Sequence, residues 1–176
     1  ELRDVYDAEK QITRALPKMV KAAEAQELRS AFEKHLNQTR GQIERLEEIF
    51  EMLDTRPKGH HCPGMEGIIT EGSELMEEDG DPAVLDAGLI GAAQKVEHYE
   101  IAVYGTLLTY ANLLGRTEAA DLLQQTLDEE KQADQKLTQL AEGFVNPEAA
   151  EQEGEEEEEE EDVVRPRVQR KRRVRV

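Results

Sequence analysis

The stretch EHYEIAVYGTLLTYANLLGRTEAADLLQQTLDEE, residues 97–130, decides the fold. Its first half sets Glu100, Val103, Leu107 and Leu114 at the spacing that keeps one stripe of an α-helix turned toward a neighbour. Gly115 stops that helix, and Thr117 is placed to cap the next. The second half repeats the period as Ala120, Leu123, Leu127 and Glu130, continuing through Asp134, Leu137, Ala141 and Phe144. Two long amphipathic helices joined by so short a turn form an antiparallel hairpin. Glu100 lies 16 residues before Arg116, and Glu130 and Asp134 lie 14 and 18 after it, so these carboxylates share one height.

Upstream the arrangement recurs. Glu1–Ala25 carries Leu2, Val5, Glu9, Ile12, Leu16, Met19 and Ala23 on one stripe; Glu27–Leu53 carries Leu28, Phe32, His35, Thr39, Gln42, Leu46, Ile49 and Leu53. Glu9 and Gln42 stand about 16 residues either side of the turn near Ala25, which again levels them. Pro57, Gly59 and Pro63 break the chain after Asp54, and Met65–Glu78 has room for one short helix. Asp81 followed by Pro82 predicts the start of the third long helix, whose stripe includes Leu89, Ala93, Val96 and Glu100, with Glu97 beside it. Two hairpins separated by the long link Asp54–Gly80 predict an all-α, ferritin-like four-helix bundle with one crossover over residues 1–146.

Each helix therefore carries polar side chains into the middle of an apolar stripe. Unpaired carboxylates buried there would cost several kcal/mol each or take up protons. The stripes offer no Lys or Arg at that height, so the pattern predicts metal cations: a dinuclear centre of Fe or Mn bridged by carboxylates. Glu9, Glu97, Glu100 and Glu130 form the expected carboxylate core, with Asp134 a fifth member. Thr39 and Gln42 occupy the positions where comparable bundles carry Glu-x-x-His, and complete the candidate set as weaker ligands. His35, about 10 Å along the axis from Gln42, is expected to be a core histidine bonded elsewhere. Tyr104, one turn beyond Glu100, is a candidate donor to a ligand, and His98 points off the Glu100 stripe. The competing reading is a hydrated polar core. His60-His61-Cys62 lacks the spaced pairs of a zinc site, and no phosphate-binding glycine loop or nucleophile triad is present.

Of 176 residues, 40 are acidic and 22 are Lys or Arg, a net charge of −18; residues 1–147 alone carry 29 acidic against 15 basic side chains, a net −14. Such a body is unsuited to DNA phosphates. Residues 147–176 form a low-complexity tail, acidic without a break from Glu155 to Asp162 and basic from Arg165 to Val176. Like charges in blocks favour disorder, and the basic end suits an anionic partner. A single cysteine and the lack of a long apolar run predict a cytoplasmic protein that does not span a membrane. Helical periodicity already running at Glu1 predicts that the native start lies upstream.

YDAEKQITRALPKM at 6–19, HLNQTRGQIERLEEIFE at 35–51, CPGMEGIITEG at 62–72, EHYEIAVYGTL at 97–107 and LLQQTLDEEKQAD at 122–134 together resemble the YciE/YciF group of ferritin-like stress proteins. The resemblance implies a rubrerythrin-related bundle, a bacterial or archaeal cytoplasmic homodimer, and a dinuclear metal centre to which Glu9, Glu97, Glu100 and Glu130 correspond by motif. The function expected is a non-storage metalloprotein acting on oxygen or peroxide in stress, with oxidase or peroxidase-like activity. The alternative is a metal-independent helical interaction module whose polar layer sets register and whose tail or surface recruits a partner. Iron storage in a cage is disfavoured.

Overall fold

The computed structural model describes residues 1–78 and 80–151. Five α-helices follow in order: α1 Leu2–Ala22, α2 Gln26–Met52, α3 Pro63–Leu75, α4 Pro82–Leu113 and α5 Thr117–Leu140. α1 pairs with α2 and α4 with α5, α2 and α1 meet α5 and α4 across the bundle, and short α3 lies over α4 and α1. This is the four-helix, crossover-linked architecture anticipated from the stripes. The tail from 152 onward, with its expected disorder and its basic segment, lies outside the described residues.

Local chemistry sets the helix ends. Asp81 accepts hydrogen bonds from the N–H groups of Ala83 (2.7 Å) and Val84 (3.3 Å), and Pro82 needs no N–H partner there. Cys62 caps α3, its sulfur accepting from Met65 N–H at 3.4 Å. α4 ends in a Schellman turn: Gly115 adopts φ +65°, its N–H reaches Asn112 O and Arg116 N–H reaches Ala111 O. Thr117 is not the cap expected of it. Arg116 occupies that position without a side-chain bond, and Thr117 is the first helical residue.

Residues 146–151 remain helical, and Ala149 is buried, so the helix passes the expected boundary at 146/147. Pro147 cannot donate to the helical ladder. A π turn over Ala141–Val145, closed by Asn146 N–H on Ala141 O, widens the helix just before Pro147 and lets it continue.

The two hairpins point their turns to opposite ends of the bundle. Asp86, near the start of α4, is buried and accepts from the N–H groups of Glu24 (2.9 Å) and Ala25 (2.7 Å), anchoring the α1–α2 turn at that end. Val5, Tyr6, Phe50, Leu107 and Ala120 pack at the other. The apolar interior is consequently two clusters, one around Leu16, Phe32, Leu89 and Leu137 and one around Leu46, Phe50, Tyr104 and Leu123. Between them lies a polar layer.

Candidate metal centre

That layer consists of Glu9 from α1, His35, Thr39 and Gln42 from α2, Glu97 and Glu100 from α4, and Glu130 from α5, every one of them buried. One ligand atom from each of His35, Glu97, Glu100 and Glu130 lies within 4.8 Å of all the others. Glu97 and Glu100 are three residues apart and so project from one face of α4. Glu9 joins from α1, next to Glu100 and held by Tyr104, whose hydroxyl donates to Glu9 Oε1.

His35 belongs to this cluster, contrary to the expectation that it bonds elsewhere. Its Nε2 is 3.2 Å from Glu97 Oε1 and 4.0 Å from Glu130 Oε2, although neither approach has hydrogen-bond geometry. The reason is one of height. Asp86 is level with the Ala25 turn, and His35 and Glu97 lie 10 and 11 residues beyond these markers, about 15 Å up the bundle. Measured against Gln42, two turns further along α2, His35 looked remote; measured against Glu97 it is level.

The remaining candidates play other parts. Thr39 is fully buried, but its hydroxyl donates to His35 O at 2.9 Å within its own helix. Gln42 donates through Nε2 to Glu130 Oε1 and to Glu129 Oε2 (3.3 Å), leaving its Oε1 in the layer; Arg45 holds Glu129 in turn. Asp134 does not enter the cluster. It faces α4, accepting from Gln94 Nε2 at 2.9 Å with His98 Nε2 at 3.3 Å.

Charge is badly accommodated here by protein groups alone. Burial first, then the charges of its neighbours, raises Glu9 to about 8, and burial raises Glu130 to about 7. Glu97 and Glu100 are pushed well above the ordinary carboxyl range by the same causes, and burial drives His35 down to about 4. Every buried side-chain N or O atom without a hydrogen-bond partner among the described residues belongs to this layer: Glu9 Oε2, both His35 nitrogens, Gln42 Oε1, Glu97 Oε2, both Glu100 oxygens and Glu130 Oε2. Buried polar atoms are rarely left so, since each costs about 1–3 kcal/mol. Carboxylates around one imidazole make an oxygen-rich donor set suited to Fe or Mn.

The family model described as "Domain of unknown function (DUF892)" matches residues 1–150. The chain is 51% identical to protein YciF of Escherichia coli K12 over 149 residues, 84% of this chain and 90% of that one. The crystal structure of the E. coli stress protein YciF superposes with a TM-score of 0.79 over 82% of this chain and 92% of that one, at 51% identity. YcfI from Rhodopseudomonas palustris gives 0.76 at 47% identity, over 78% and 87% of the two chains. A protein from Xanthomonas campestris shares the fold at 21% identity, with a TM-score of 0.69 over 86% and 93%.

Proposed function

From the membership of this chain in the DUF892 family and from its polar layer, we propose a cytoplasmic, non-storage metalloprotein of the stress response. Its dinuclear Fe or Mn centre is held by Glu9, His35, Glu97, Glu100 and Glu130. One observation carries this reading: among the described residues the unpartnered buried polar atoms are all in a single layer, and His35, Glu97, Glu100 and Glu130 bring ligand atoms within 4.8 Å of one another. A hydrated core would serve them less well, because water cannot neutralise several carboxylates at once.

When bound, such a centre supplies redox change and Lewis acidity toward oxygen or peroxide. The chain's own contribution is the position of the donors. Tyr104 fixes one oxygen of Glu9, and Gln42, backed through Glu129 by Arg45, fixes one oxygen of Glu130, so that the free oxygens point inward. The apolar clusters flank the layer on both sides.

Metal analysis of protein purified without chelators tests the proposal. About two Fe or Mn ions per chain are expected, with less than half that in Glu9→Ala and Glu100→Ala. Unchanged metal content in both variants removes the proposal and leaves the interaction module. We also propose a second copy of the chain as its partner. Tyr110, Leu113 and Leu114 at the end of α4 are among the large apolar side chains exposed for it, and light scattering on the full chain decides the point.

A further inference from the structure

A cavity of about 570 Å³ lies on the α1–α2 turn side of the polar layer. All five helices contribute to its lining, and its walls are apolar: Ile12, Leu16, Phe32, Ala93, Val96 and Leu137. His35 and Glu97 line it too, at its buried end. The cavity opens to solvent on one side, and water gains little from such apolar walls. The volume and lining are those of a pocket for a small organic molecule.

The mouth departs from the rest of the surface. In a body of net charge −14, Lys18, Lys34 and Lys136 stand around it, from α1, α2 and α5, all exposed. None of the three is ion-paired among the described residues. Gln132, Gln135 and Gln139 continue the rim of α5 without charge, and Glu27 is the one acidic side chain at the mouth. A cationic rim over an apolar interior has one chemical complement: an anion on an apolar chain.

We propose that this cavity binds a single-chain anionic amphiphile, its carboxylate at Lys18, Lys34 and Lys136 and its alkyl chain running inward toward His35 and Glu97. Binding rests on the cavity and its rim and does not require the metal, so the two proposals fail independently. If both hold, the far end of the chain is the part presented to the centre.

Calorimetric titration of chelator-treated protein with dodecanoate, below its micelle concentration, tests this. Saturable binding at one site per chain is expected, with dodecyltrimethylammonium at least about tenfold weaker. Reversing the three exposed lysines, Lys18→Glu, Lys34→Glu and Lys136→Glu together, should leave helicity intact and weaken dodecanoate by about tenfold or more. Ala93→Trp, filling the cavity, should abolish binding in protein that circular dichroism shows to be folded. No dodecanoate binding, equal affinity for the cation, or indifference to the triple reversal overturns the proposal.

Discussion

The phenol of Tyr104, fully buried on α4, donates its proton to Glu9 Oε1 on α1, so one hydrogen bond crosses the bundle between the two hairpins at the depth of the polar layer. Burial and the neighbouring carboxylates raise the pKa of Tyr104, which keeps it a donor. Tyr104→Phe keeps the ring and removes the hydroxyl that donates to that oxygen. Chelator-treated Tyr104→Phe should lose about 1–3 kcal/mol in urea denaturation, with no change in helicity.

His35 and Asp134 separate a residue that shares the cluster from one that merely lies near it. His35→Ala should cut metal content by at least half. Asp134→Ala, which loses only contacts to Gln94 and His98, should leave it unchanged. Elemental analysis of both variants beside the wild type gives the answer, and a larger loss in Asp134→Ala would reverse the assignment.

The layer should make the metal-free protein sensitive to alkali. Glu9 at about 8 and Glu130 at about 7 bind protons more tightly folded than unfolded, where the value is 4.5. Their contribution is full below 4.5 and is lost as pH rises through the folded values. His35, lowered from 6.5 to about 4, works in the opposite sense, its contribution full above 6.5 and lost on acidification. Above 6.5 the carboxyls act unopposed. Chelator-treated protein should therefore lose about 2 kcal/mol between pH 6.5 and 8, while metal-loaded protein, its carboxylates already neutralised, should not.

Asp86 offers a test far from the centre. Both its oxygens hold N–H groups of the α1–α2 turn, so Asp86→Ala leaves two part-buried donors without their partner and should cost about 1–3 kcal/mol by thermal or chemical unfolding. Metal content at low temperature should be retained. Loss of less than about 0.5 kcal/mol would mean that water replaces the carboxylate there.

Much of this arrangement is legible in residue spacing. The hairpins follow from the 3-4 stripes, from Asp81-Pro82 and from Gly115, because propensity, capping and periodicity agree at those points. The common depth of Glu9, Glu100 and Glu130 follows from counting residues to each turn. His35 escaped that count because its partner is Glu97, one turn below the level used as reference. Asp134 was misplaced for the converse reason: a spacing of i, i+4 from Glu130 gives the same face only loosely, and Gln94 with His98 draws the carboxylate aside. The continuation of the helix past the boundary at 146/147 is not legible, because no local pattern announces a π turn. The role of Gln42 as a donor, and the second cap at Arg116, depend on which neighbours tertiary packing supplies.

The opposed hairpins have a consequence for synthesis. On the ribosome, α1 and α2 emerge first and bring Glu9 and His35, while Glu130 comes last. A nascent first hairpin thus carries an incomplete set of donors, without Glu97, Glu100 and Glu130. Only release of α5 completes the set, so the donors come together after translation, as the chain closes.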